Sequence, residues 1–130
     1  MSAAKKLGHD FAHALAEKDA ARLSGLFAPE LDFRAMTPNK TWQSQDADGV
    51  LAIVFGHWFE DDDRIQSLER LETDSFADRA RVGYRLSVSN SEGRFLLEQQ
   101  AFLSEGTGEG EGKIAWMRVL CSGYRPVEAP

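Results

Sequence analysis

Residues 94–103, RFLLEQQAFL, carry the polar side chain that packing explains least. Side chains of a strand alternate between two faces, so Gln99 shares a face with Leu97 and Ala101, while Glu98 and Gln100 point the other way. An amide aimed at an apolar interior offers a neutral donor and a neutral acceptor. It can hold a carbonyl or hydroxyl oxygen, but it cannot move a proton. It can equally serve a backbone group or a water, as buried polar groups usually do, and both readings stand. Other reactive residue types are less well placed. His9 and His13 have the i,i+4 spacing of a metal pair with Asp10 between them, but they fall on the polar side of a helical pattern and lack a third ligand. No metal is expected. His57 sits at the edge of an apolar helical segment and reads as a rim or interface residue. The acidic run 60–63 (EDDD) reads as a solvated loop rather than a cation site. Cys121 shares its face with Met117 and Val119 and has no basic neighbour to activate it, so it reads as an apolar filler. The glycine-rich stretch 105–113 lacks the Gly-Lys-Ser/Thr ending and the following helix of a phosphate loop.

The elements that must position these residues follow from periodicity. Residues 3–18 predict an amphipathic helix, with Leu7, Phe11, Ala14 and Lys18 at helical spacing and Leu15 beside them. A short helix follows, capped by Asp19, with Leu23, Leu26 and Phe27 on its apolar side, and Pro29 ends it. Residues 31–36 alternate as a strand with Leu31, Phe33 and Ala35 on one face, and 37–45 read as loop. Asp46 caps a third helix that runs to residue 59 and is apolar on nearly every side, so it must be covered on more than one. From Arg64 onward strands are expected. The first, 64–74, is ambiguous because Ile65, Leu68 and Leu71 also fit a helix. Val82, Tyr84, Leu86 and Val88 alternate cleanly; NSEG (90–93) turns the chain; 94–103 return; 113–124 close the set. The glycine-rich stretch between the last two strands has no apolar side chain to order it and is expected to be a loose hairpin loop. Helices first and antiparallel strands afterwards imply one α+β domain over 1–130.

Totals narrow the function classes. At 130 residues, 42% apolar and 28% charged, the chain can bury a real core. A net charge of −6 argues against nucleic acid and acidic membrane surfaces as partners. A single cysteine excludes an internal disulfide and fits a reducing cytoplasm. The N-terminal residues contain no continuous apolar run, so neither a signal peptide nor a spanning helix is expected.

The segment FAHALAEKDAARLSGLFAPELDF (11–33), together with GKIAWMRVL (112–120) near the far end, resembles the nuclear transport factor 2-like superfamily, which includes SnoaL-like polyketide cyclases and ketosteroid isomerases. The order of elements agrees over nearly the whole chain. The resemblance implies a cone-shaped, curved, mostly antiparallel sheet wrapped around N-terminal helices, a conical pocket, and usually a dimer. In the isomerase branch a tyrosine on the first helix binds the oxyanion; Phe11 stands there. The general base lies on the first strand; Ala35 matches it, flanked by Arg34 and Met36. A protonated aspartate supplies the second donor; Gln99 matches it. The interlocked Asp-Arg-Asp groups of the epoxide-hydrolase branch have no counterpart of inward parity.

In that fold Phe11, Phe33, Trp42, Phe55, Trp58 and Tyr84 would converge on the cone, with Gln99, Met117 and Cys121 facing in from the strands. Apolar walls with one or two polar groups describe a small-molecule pocket, and they also describe a plain core. The expected function is binding of a small apolar molecule bearing a carbonyl or hydroxyl, without a cofactor. The alternative is an enzyme of the isomerase, polyketide cyclase or dehydratase type, for which only Tyr84, His57 and Gln99 offer themselves. On the outer face Leu96, Phe102, Trp116 and Leu120 form an apolar patch by parity, so a homodimer through the outer sheet face is expected.

Overall fold

The computed structural model describes residues 2–127. Helix α1 (Ala3–Ala16) starts where the Ser2 hydroxyl accepts the Lys5 amide at 3.1 Å. Its buried stripe is Leu7, Gly8, Phe11, Ala12, Ala14 and Leu15. The small residues in that stripe bring the helix close to the sheet: a Cβ on Gly8 would lie 3.2 Å from the Val82 Cβ. Helix α2 (Ala20–Ser24) is capped by Asp19 as expected, but it is shorter than its apolar pattern suggests. Leu26 lies beyond it, and Phe27 and Pro29 belong to the next strand. Helix α3 (Ala47–Ile53) is capped by Asp46, whose carboxylate accepts the Gly49 amide at 2.8 Å. It does not continue as one helix to residue 59. A π-helical turn, Val54–Trp58, takes over and buries Val54 and Trp58.

Seven strands form one mixed sheet: β1 (Phe27–Thr37), β2 (Lys40–Ser44), β3 (Arg64–Phe76), β4 (Arg79–Asn90), β5 (Gly93–Glu105), β6 (Ile114–Cys121) and β7 (Arg125–Pro126). The order is β2-β1-β6-β5-β4-β3, with β7 pairing β5. All neighbours are antiparallel except β1 and β6, which run parallel. Helix α1 packs on β3, β4 and β5, and α3 on β1 and β2, which is the expected α+β cone of helices held by a curved sheet. Pro29 is tolerated inside β1 because it falls in the register break between Phe27 and Asp32, where no ladder bond is required of it.

Two segments depart from the sequence reading, residues 40–44 and the glycine-rich loop. Residues 40–44 are a strand, not loop: Pro38 and Asn39 make a tight turn, with Asn39 in the left-handed region at φ 72°. β3 is a strand, as expected, and its helical spacing has a structural cause. Its pairing with β4 shifts once between Ile65 and Ser67 and again between Glu69 and Glu72. Each bulge adds a residue, which turns a period of two into a period of three and keeps Ile65, Leu68 and Leu71 all half-buried against the core.

The glycine-rich loop is ordered. Its backbone closes on itself through Gly106 N to Lys113 O at 2.9 Å, Gly110 N to Thr107 O at 2.9 Å and Lys113 N to Gly110 O at 3.0 Å. Gly110 is buried, and a Cβ there would lie 3.0 Å from the Ala28 Cβ. Lys113 Nζ reaches the Gly25 carbonyl at 3.1 Å. The loop needs no apolar side chain because it docks by backbone on β1. Deleting residues 107–110 should therefore lower stability by roughly 1–3 kcal/mol, the loss of a few net hydrogen bonds and a packed contact. An unchanged urea midpoint would show the docking to be energetically empty.

Candidate functional site

The turn at Ser91-Glu92 sets Asn90 opposite Gly93, and that register carries up the hairpin to put Tyr84 opposite Gln99; on the other side of β5, Gln99 faces Cys121. Tyr84, Gln99 and Cys121 thus form one inward-facing polar rung across β4, β5 and β6. The neighbouring rung of these strands is Val82, Ala101 and Val119, all buried. Gln99 is 3% exposed and Tyr84 3%. The phenol of Tyr84 donates to Gln99 Oε1, so the amide serves a side chain and not a backbone group. The Gln99 Nε2 has no partner. Cys121 is half-buried and its Sγ accepts the Gly123 amide at 3.4 Å.

The other expected residues belong to the same hydrophobic core or pack against it. Phe11, Phe33 and Met117 are fully buried, and Phe33 packs beside Trp58 with ring centroids 6.3 Å apart. Phe11 meets Phe27 edge-on. Phe55 and Trp42 are half-buried; the Trp42 ring centroid lies 4.9 Å from that of the exposed His57 ring and 4.1 Å from Lys40 Nζ. The Trp42 indole donates to Thr37 Oγ1 at 2.9 Å. The Trp58 indole, although buried, donates to nothing. Among the described residues, Trp58 Nε1 and Gln99 Nε2 are the only buried side-chain nitrogen or oxygen atoms left unpaired.

The backbone of Trp58 is fixed from the sheet side: Tyr124 Oη donates to its carbonyl at 2.8 Å. The acidic run that follows is only partly solvated. Asp63 is 7% exposed and accepts from the Glu60 amide and the Asn90 side chain, both at 2.9 Å. Lys18 Nζ donates to the carbonyls of Glu60 at 2.8 Å and Asp63 at 2.9 Å, tying the end of α1 to this loop. Burial pushes the Tyr84 phenol well above its ordinary value, with a smaller contribution from Cys121. The Tyr124 phenol is also raised, by burial first and by Asp63 second. Both tyrosines are therefore neutral hydrogen-bonding groups and not bases.

His9 and His13 sit side by side on the outside of α1, ring centroids 4.4 Å apart. Among the described residues no group of three or more His, Cys, Asp or Glu side chains is placed to hold a metal ion. Among the described residues no helix is long and apolar enough to cross a membrane. Sequence reasoning placed Trp58 as an apolar wall and missed its free N–H. It also named Tyr84 and Gln99 separately. The signal that joins them was present: a two-residue turn at 91–92 fixes the 84–99 pair by counting.

The Tyr84–Gln99 bond makes a measurable cycle. Tyr84→Phe and Gln99→Leu should each cost roughly 1–3 kcal/mol by stranding the partner, and the double variant should lose less than the sum because nothing is left stranded. The alkaline limb has a definite sign. The unfolded phenol ionises near its ordinary pKa of 10.0 while the folded one keeps its proton, so stability falls as pH rises above that value. Tyr84→Phe should make that fall shallower by up to about 1.4 kcal/mol per pH unit. Strictly additive urea midpoints and an unchanged alkaline slope would show that the two groups do not interact.

No protein-family sequence model matches the chain, and no curated protein matches it in sequence. Solved structures do match. A candidate polyketide cyclase of Pseudomonas putida aligns with a TM-score of 0.69 at 15% identity, over 92% of this chain and 90% of that one. A candidate isomerase of the SnoaL-like family from Agrobacterium tumefaciens gives 0.64 at 16% identity, over 95% and 100%. An LEH-like epoxide hydrolase of M. tuberculosis gives 0.67 at 8% identity, over 92% and 83%. At these identities the likeness is one of fold: the chain has the α+β cone of the nuclear transport factor 2-like, SnoaL-like proteins.

Proposed function

We propose that this chain binds a small, mostly apolar molecule inside the cone and holds an oxygen of that molecule with Gln99. The observation that carries the reading is the unpaired Gln99 Nε2, which among the described residues shares that condition only with Trp58 Nε1. Leaving a buried donor unpaired costs about 1–3 kcal/mol, a cost that a ligand oxygen removes. The fold is shared with structures named as isomerases, a cyclase and an epoxide hydrolase. Binding without proton transfer suits this chain better. Phe11 and Ala35 are both buried and neither side chain can donate or accept a proton. The buried carboxylate, Asp63, is engaged by a backbone amide and by Asn90. Entry requires the wall formed by the π-helical turn and the following loop to move. Its side-chain tethers are Tyr124 on the Trp58 carbonyl, Lys18 on the carbonyls of Glu60 and Asp63, and Asn90 on the Asp63 carboxylate.

The compact bicyclic ketone 1-tetralone tests this. It should raise the melting temperature and titrate saturably by tryptophan emission, and Gln99→Leu combined with Tyr84→Phe, which leaves no freed phenol hydrogen to take the amide's place, should weaken it by about 1 kcal/mol, the net worth of one hydrogen bond. Absence of saturable binding to wild type would overturn the proposal.

The working unit in this reading is a homodimer through the outer sheet face. Met36, Phe76 and Leu120 are more than half exposed, and all three lie on that face. Met36 and Leu120 flank a groove of about 730 Å³ together with Phe102, Arg34 and Arg118. Leu96 and Trp116 contribute less than parity suggests: β7 lies beside Leu96, and the guanidinium groups of Arg79 and Arg118 sit 3.8 and 4.6 Å from the Trp116 ring. Leu120→Arg should give monomers by sedimentation. A wild-type protein that is monomeric at micromolar concentration would remove this part of the proposal.

A further inference from the structure

We infer that residues 122–127 are a latch for the wall: the π-helical turn and the loop after it open together with this segment, and Tyr124 is the residue that couples the two. The inference deepens the binding function proposed above, whose ligand must pass this wall, but the coupling itself is a property of the protein alone. It starts from how the chain leaves β6. After Cys121 the backbone does not run straight into β7. Gly123 bends it at φ 81°, and a Cβ there would lie 2.6 Å from Pro38 Cγ, so glycine alone fits the bend. The bend seats Tyr124 against both the sheet and the wall. Its ring centroid lies 5.6 Å from that of Phe95 on β5 and 6.3 Å from that of Phe59, and its hydroxyl donates to the Trp58 carbonyl at 2.8 Å. Phe59 is 1% exposed, and its amide closes the π-helical turn by donating to the Val54 carbonyl at 2.7 Å.

Each of the two segments is lightly held on its own. β7 is two residues long and pairs β5 at Phe95 and Leu96. Beside it, Ser122 exchanges two bonds of 2.9 Å with the Glu98 backbone, and the Val127 amide reaches the Arg94 carbonyl at 3.0 Å. None of residues 54–63 belongs to the sheet. Lys18 and Asn90 hold the loop at Glu60 and Asp63, whereas Tyr124 reaches the turn itself. Proteins open locally in units whose members hold one another. Here the wall cannot swing away unless the Tyr124 bond breaks, and a strap peeled from β5 takes Tyr124 off the wall with it.

Amide hydrogen exchange, read residue by residue, tests this without a ligand. Tyr124→Phe keeps the ring and removes the bond. It should speed exchange at the Phe59 amide roughly fivefold, the factor that one net hydrogen bond supplies, while Ala101 in the middle of the sheet keeps its rate. Gly123→Ala strains the bend and should speed exchange at Val127 and Phe59 by a common factor. Faster exchange at Val127 with Phe59 unchanged would overturn the coupling, as would a Tyr124→Phe protein in which Phe59 and Ala101 speed up equally. Stopped-flow mixing with 1-tetralone then reads the wall as the way in. Tyr124→Phe should raise the association and dissociation rates together and leave the dissociation constant nearly unchanged. Unchanged rates would overturn the latch as the ligand's gate. Absence of 1-tetralone binding to wild type would overturn the binding function instead, and the exchange rates would still decide the coupling.

Discussion

The register of the β4–β5 hairpin is the constraint on which the interior depends. Side chains alternate along a strand, so a slip of one residue would turn every core residue of these two strands outward. The two-residue turn between Asn90 and Gly93 prevents that slip, and the Asn90 side chain holds it by accepting the Glu92 amide at 2.8 Å. With that register in place, Val82, Tyr84, Leu86 and Val88 meet Ala101, Gln99, Leu97 and Phe95 on the inner face. Helix α1 can then lie close to the sheet, Gly8 against Val82, and shut the cone from one side.

Within that closed interior the polar rung is the exception that needs a reason. A hydroxyl and an amide placed among leucines and valines are tolerated because each satisfies the other, and a bond in such surroundings is stronger than in water. The same surroundings make the remaining N–H atoms costly. A core designed only for stability would carry Phe and Leu at 84 and 99, and Phe at 58. The sequence instead keeps a donor on each side, one on the sheet at Gln99 and one on the wall at Trp58. The wall itself is built to be less secure than the sheet: a change of helical pitch at Val54, an open Gly56 with no atom near where a Cβ would lie, and tethers through single side chains.

Much of this was legible before any coordinates. The amphipathic pattern of α1, the caps at Asp19 and Asp46, and the alternation of β4 and β5 are local signals, and local physics suffices for them. The inward placement of Gln99 follows from alternation alone. β3 was legible as a strand only ambiguously, because its two bulges are settled by pairing with β4 and give Ile65, Leu68 and Leu71 a helical spacing. β2 was hidden by its polar composition; it is an edge strand with only Trp42 turned inward for packing. The glycine-rich loop misled because glycine and glutamate suggest disorder, whereas here backbone groups bond each other and small size permits docking on Ala28. The free N–H of Trp58 was beyond reach, since it depends on what does not lie within bonding distance in three dimensions.

The central claim is that the Gln99 N–H is held in reserve for a ligand oxygen. The direct measurement is the side-chain amide resonance of Gln99 in proton–nitrogen spectra as 1-tetralone is added. Gln100, one residue on and exposed on the outer face, is the internal control. The account predicts that the Gln99 amide signals move downfield and saturate with the ketone while those of Gln100 stay in place. Gln99 signals that stay unmoved at saturating ketone, or that move together with those of Gln100, would contradict it.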